Sequence, residues 1–348
     1  MSMKRVTVIL LALALCLSLV LLAGCGGSAP AKDEKAGAGE NGNKPTKVAL
    51  LLPGPFADGG WNTLAYRGIE ALAKDPQDFA ASYTENVKQA DIQSVTAGYC
   101  EEGYDLIIGH GFEFGTAYMD LAPKYPNVKF FVTGQAPQGV EIPPNLMFFW
   151  VGGEGEYVNG ALAALLSKTH KVGFVGGGDN PTQRGWANAF KQGAEETVPG
   201  TQVMIMITGD YNDASRGREA AVTMMNNGAD VITHAADVTG LGVIAAVAET
   251  KNVAIGCYSD QIMMAHDRMA TSLTEDLAWV VQEVAKSVRE GKFQGGQEWH
   301  PEWWNVWKFK AADKEFNESI VSEEVAKKVA EIREKVKNGE IKVPWNTK

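Results

Sequence analysis

Apolar and polar positions divide the chain into three stretches. Residues 6–22 form an unbroken apolar run behind Lys4 and Arg5, ending at Leu22-Ala-Gly-Cys25. A basic start, a short apolar centre and small residues before a cut point describe a secretory leader, 1–24. The run falls short of the roughly 20 apolar residues that a spanning helix needs. Residues 26–46, GGSAPAKDEKAGAGENGNKPT, hold no aromatic or aliphatic side chain larger than alanine. They cannot bury a core and read as a flexible tether. From residue 48 the pattern changes to short continuous apolar runs separated by amphipathic stretches. The runs at 48–52, 104–108, 128–132, 171–175, 201–207, 230–233 and 253–256 predict strands. The stretches at 63–72, 117–121, 186–195, 215–227 and 242–249 predict helices. This alternation indicates an α/β fold of parallel sheets, and near-continuous apolarity implies strands covered on both faces.

The interval between 132 and 171 separates two doubly wound units, and 145–151 is placed to cross between them. The body of about 300 residues suits two domains. The expected partition is 47–148 plus 237–271 for the first lobe, and 149–236 plus 272–348 for the second. The Glu- and Lys-rich helix at 321–337 is expected to cap the outside of either lobe. The tryptophan-rich run 299–307 reads as a strand at the second lobe's surface.

Charge narrows the partners. Lys4 and Arg5 leave with the leader, so the net charge moves from −10 to −12. Such an acidic body argues against nucleic acid and against electrostatic adhesion to anionic lipid. Cys25, directly after Ala-Gly, resembles the modified residue of a bacterial lipobox, which implies lipidation there and attachment to the membrane surface through the tether. Cys100 and Cys257 remain for the body and read as two buried thiols; without a CxxC there is no support for a cysteine zinc site.

Ligands of doubly wound sheets bind beyond the carboxyl ends of the strands. The loop 53–62 ends on Trp61 and Asn62 at a helix start. There Trp61 either offers a stacking platform or packs on the hinge. Asn62 either offers a donor and an acceptor or caps the helix. Tyr211, flanked by Asp210 and Asn212, offers a second stacking face; Phe112 and Trp186 are further aromatics of the same kind, Trp186 being either that or a core residue of its helix. Two rings enclosing a planar ligand add about 0.5–1.5 kcal/mol beyond area burial. Asp237, Asp260 and Glu275 lie at strand ends or lobe crossings, where they accept hydrogen bonds from a ligand or cap helices. The five histidines show no HExxH spacing, and neither a Walker loop nor a GxSxG elbow occurs, so no catalytic centre, metal site or cofactor motif is found.

The loops also carry a resemblance. Residues 48–68 with Asp58-Gly-Gly-Trp61-Asn62, then Asp105-Leu-Ile-Ile-Gly-His-Gly-Phe112, Val172-Gly-Phe-Val-Gly-Gly177, Asp210-Tyr-Asn-Asp213, Gly228-Ala-Asp-Val-Ile232, Val238-Thr-Gly-Leu-Gly-Val243 and 255–261 occur in this order. Over about residues 47–310 the series resembles the BMP family of substrate-binding lipoproteins, the purine nucleoside receptor A group. The resemblance implies a type I periplasmic-binding-protein fold, with three interlobe crossings, serving an ABC permease. It implies a base held between two aromatics, at positions matched here by Trp61 and Tyr211, with Asp58 and Asn62 beside the first. Two departures bear on the ligand. Gly256-Cys-Tyr-Ser-Asp260-Gln261 stands where nucleoside-binding members have Gly-Val-Asp-x-Asp-Gln, and the lysine associated with ribose is replaced near Glu275. A nucleobase or another planar nitrogen heterocycle fits these departures better than a nucleoside. The expected function is an importer receptor, against a sensor that passes its closed state to a signalling protein, or a nucleoside hydrolase.

Overall fold

The apolar run at the start of the body becomes β1 (Thr46–Leu51), buried at every position but Lys47. It lies inside a six-stranded sheet with β2 (Phe79–Thr84), β3 (Leu106–Gly109), β4 (Lys129–Thr133), β5 (Leu146–Phe149) and β11 (Gln297–Trp299). The order is β11-β5-β4-β3-β1-β2 and every pair is parallel. A second sheet holds β6 (Lys171–Gly176), β7 (Gln202–Ile207), β8 (Val231–Ala235), β9 (Val253–Tyr258), β10 (Met269–Glu275) and β12 (Trp307–Lys310). Its order is β12-β10-β9-β8-β6-β7, with only the edge strand β12 antiparallel. The computed structural model describes residues 44–348. The leader, Cys25 and the tether through residue 43 lie outside the described residues. Among the described residues, no helix is long and apolar enough to cross a membrane.

The helices of the first lobe are α1 (Trp61–Ala73), α2 (Ile92–Glu101), α3 (Phe114–Leu121) and α8 (Leu277–Arg289). The second lobe carries α4 (Glu154–Leu166), α5 (Pro181–Thr197), α6 (Ala214–Asn226), α7 (Asp237–Ala248), the short α9 (Trp303–Val306) and α10 (Glu323–Lys337), which packs on α4. Helix α1 buries Leu64, Ala65, Gly68, Ile69 and Leu72, one stripe at helical spacing. The stripe of α8, Leu277, Val280, Val281, Val284 and Ala285, packs beside α1 over β1 and β3. A single apolar cluster runs through both lobes, from Leu50 and Leu52 to Phe174 and Trp307. Separate clusters cover the far faces of the two sheets.

Two expected assignments are corrected. Residues 237–271 were expected in the first lobe, yet α7 packs on α6, β8 and β9, and β9 pairs with β8 and β10 with β9 in the second sheet. The connection through α7 is a short crossover, and such crossovers join neighbouring parallel strands. Conversely, α8 and β11, inside the segment expected for the second lobe, belong with the first. The chain therefore changes lobe at 150–153, at Asp276 and at 300–306, giving three crossings. The run 299–307 is not a surface strand: Trp299 closes β11 in one sheet and Trp307 opens β12 in the other. Cys100 and Cys257 are both free and buried, in separate clusters.

Candidate functional site

Beyond the carboxyl ends of both sheets lies a cavity of about 280 Å³. The first lobe contributes the 53–62 loop after β1, Phe112 and Glu113 after β3, and Thr133, Gly134 and Gln135 at the end of β4. The crossings contribute Phe149, Trp150, Val151, Glu275 and Leu277. The second lobe contributes Asn180, Gln183, Trp186, Tyr211, Asp237 and Tyr258.

Trp61 is fixed from below. Its ring stacks on His110 with centroids 3.6 Å apart and planes 28° from parallel. His110 is fully buried, and burial lowers its pKa to about 3, so the imidazole is neutral. Its Nε2 lies 3.2 Å from the Trp61 carbonyl, which can only accept, so Nε2 carries the hydrogen. Nδ1 then accepts from the Thr133 hydroxyl at 2.7 Å, and that oxygen accepts the Gly111 N–H at 3.1 Å. With one ring face covered by His110, Trp61 has its other face for the cavity.

Five donors converge on the Asp58 carboxylate at 2.8–3.0 Å: the N–H groups of Gly60, Asn62 and Thr63, the Asn62 amide, and the Thr63 hydroxyl, whose one proton is shared with the Phe56 carbonyl. Asp58, rather than Asn62, therefore ties down the start of α1, meeting the unpaired donors of a helix N-terminus. The contact also sets the Asn62 amide. Nδ2 must face the carboxylate, so Oδ1 points elsewhere, and this atom is buried without a partner. Asn62 is 8% exposed and presents an obligate acceptor at the cavity wall.

In the second lobe the Tyr211 ring lies against Gly177 and Gly178. A Cβ at Gly177 would come within 2.2 Å of that ring, and one at Gly178 within 2.7 Å. Asn180 donates to the Tyr211 hydroxyl at 3.0 Å, while its Oδ1 caps α5 through the Gln183 N–H. Trp186 is buried, edge-on to Trp307 at 5.6 Å and beside Tyr258. Phe112 is 58% exposed and borders the cavity from solvent.

The acids separate into two kinds. Asp237 opens α7 and reaches across the cleft to accept the Trp61 N–H at 3.2 Å. Burial, followed by the nearby Asp58, raises its pKa to about 7. Glu275, at the second crossing, is 5% exposed with Oε2 unpartnered; burial, then Asp237 and Glu156, push it up to about 8. Asp260 is the exception among the expected residues, since it does not line the cavity. Its two oxygens accept the backbone N–H groups of Ile262 and Ala312, pinning the loop after β9 to the turn after β12. Two non-glycine residues with left-handed backbone, Asp237 (φ 43°) and Tyr258 (φ 66°), line the cavity, as strained residues do at functional sites.

Trp150, Gln183, Tyr258 and Glu113 line the cavity without having been singled out in the sequence. Gln183 Oε1 and the Nε1 atoms of Trp150 and Trp186 are buried without partners. In sequence, Trp150 sits in an apolar run and Gln183 follows a helix start, so neither advertises the cleft.

The whole body, residues 45–347, matches the family model for PnrA-like ABC transporter substrate-binding proteins. Among curated relatives, the CD4+ T-cell-stimulating antigen of Listeria innocua is 27% identical, over 98% of this chain and 99% of that one. Basic membrane protein A of Borreliella burgdorferi is 27% identical over 89% and 91%. A solute-binding protein of an ABC transporter system from Aeropyrum pernix has the same fold, with a TM-score of 0.74 at 21% identity over 87% and 94%. The crossings, the cleft and the match along the whole body agree: the chain belongs to the PnrA-like (Bmp) family of ABC transporter substrate-binding proteins.

Proposed function

We propose that this protein is a lipid-anchored, extracytoplasmic receptor that closes its two lobes on a planar nitrogen heterocycle, a purine-type nucleobase or nucleoside in the first instance, and delivers it to a membrane permease. One observation carries the ligand reading: Trp61 and Tyr211, one from each lobe, are each backed on one side, by His110 and by Gly177–Gly178, and both line the same cavity. Rings held in this way add stacking energy without losing side-chain freedom on binding. Asn62 Oδ1 and Gln183 Oε1 supply acceptors for the edge of such a ligand.

The lobe change at three short segments allows hinge closure, and the Asp237–Trp61 and Ser259–Gly59 hydrogen bonds tie the second lobe to the first. Lipid on Cys25 would hold the receptor beside its permease. A thermal-shift screen of bases, nucleosides and flavins tests the ligand reading, since a bound ligand raises the melting temperature by mass action. A heterocycle is expected to give the largest shift; a response to sugars or amino acids alone would contradict stacking.

A further inference from the structure

Within this reading of the cleft, we propose that the solute is an organic cation: a nitrogen heterocycle that carries positive charge, held by the aromatic walls and by the carboxylates around them. The charge inventory of the cavity carries the inference. Four acids line it, Asp58, Glu113, Asp237 and Glu275, and among the described residues no lysine, arginine or histidine does. Glu156 adds a fifth acid behind the wall, fully buried, with Oε1 unpartnered and only the Asn159 amide on Oε2.

A buried carboxylate without a counter-charge is costly and is retained where something pairs with it. Asp58 has its five local donors, but Glu275 has none on Oε2, and Asp237 has the Trp61 N–H alone. The partner missing from their ionised form is therefore a donor, and a positive one. The fixed acceptor of Asn62 asks for the same chemistry. Trp61, Tyr211, Trp186, Trp150 and Tyr258 supply the electron-rich faces that attract a cation, most strongly once it is desolvated. A cleft lined by one sign of charge also concentrates the opposite charge before contact.

The surroundings of these acids agree. Glu275 is faced by Asp237, Glu156, Cys257 and Tyr258, and Asp237 by Asp58, Tyr211 and Tyr258. Burial first, and then these acidic neighbours, make the carboxyls hold protons near neutral pH. A bound cation replaces those protons. Cation affinity therefore rises between pH 6 and 9, with proton release, whereas a neutral ligand held by protonated acids loses affinity over the same range.

The experiment is calorimetric titration of the purified protein with two matched pairs, 1-methylnicotinamide against nicotinamide and 1-methyladenosine against adenosine, plus choline as a non-planar cation. The cationic member of at least one pair is expected to bind tenfold or more tightly than its neutral partner. Glu275→Gln and Asp237→Asn should each remove most of that difference while retaining the melting transition; asparagine tolerates the left-handed backbone at 237. Binding of choline without either heterocycle pair would keep the cation and discard the planar ligand. Neutral members binding as tightly as the cations, affinity falling as pH rises, or no response to any cation would overturn the inference.

Discussion

At Trp61 three constraints meet: the His110 ring beneath it, the Asp58 carboxylate holding the turn before it, and the Asp237 carboxyl reaching its N–H from the other lobe. Trp61→Ala leaves all backbone contacts in place, so ligand affinity should fall at least tenfold while the unfolding transition stays; unchanged affinity in calorimetry would reduce Trp61 to packing. The buried titratable groups predict a pH profile. His110 and His234 are lowered to about 3 and about 4, so their penalty on folding fades as pH rises to about 6.5. Asp237, Glu156 and Glu275 are raised to about 7, 8 and 8, so the native state holds protons that the unfolded chain has lost, and stability drops as pH rises towards 8. From pH 6.5 to about 8 the carboxyls set the slope, and above that the buried, raised Cys100 and Cys257 thiols act in the same direction. The melting temperature of the ligand-free protein should therefore decline from pH 6.5 to 8.5, and Glu156→Gln should flatten the decline. Trp61 and Tyr211 stand out in the sequence as aromatics among polar loop residues, and both line the cavity, Trp61 also packing against the main apolar cluster. For Asp260 the sequence left a ligand contact and a backbone role both open, and its partner N–H on Ala312, 52 residues away, could not be read there.

Among the elements, paired helices of the second lobe approach through glycine. A Cβ at Gly160 of α4 would lie 1.9 Å from the Phe190 carbonyl of α5, and one at Gly193 of α5 would lie 1.9 Å from the Tyr157 carbonyl of α4. Gly217 and Gly242 do the same between α6 and α7. Gly160→Ala should force the helices apart and cost about 1–3 kcal/mol, read by denaturant unfolding. Gly177→Ala acts locally instead: it should displace the Tyr211 ring and weaken ligand binding more than it lowers stability. The type of the elements singled out in the sequence could be read from periodicity, which reports burial; β2, α2, α4, β10 and α8 were not singled out, and 145–151, read as a crossing, holds β5. Sheet membership could not be read this way. The run 253–256 is apolar on both faces whichever lobe holds it, and only its register with β8 decides.

For the molecule as a whole, the three crossings make the two lobes one device, and the second and third crossings bracket α8 and β11, a detour into the first lobe that composition does not reveal. In the proposed receptor, lipid on Cys25 and the cleft would serve separate halves of the task. Cys25→Ser should release the protein from the membrane fraction into the medium while leaving ligand affinity untouched, as fractionation and titration would show. The cleft alone sets the cargo, and the most direct test of that claim is mass spectrometry of the small molecule that co-purifies with the protein from its own cells. The account predicts a planar nitrogen heterocycle carried by the wild type and absent from a Trp61→Ala, Tyr211→Ala double variant. A sugar or an aliphatic amino acid in the cleft, or equal loading of the double variant, would contradict it.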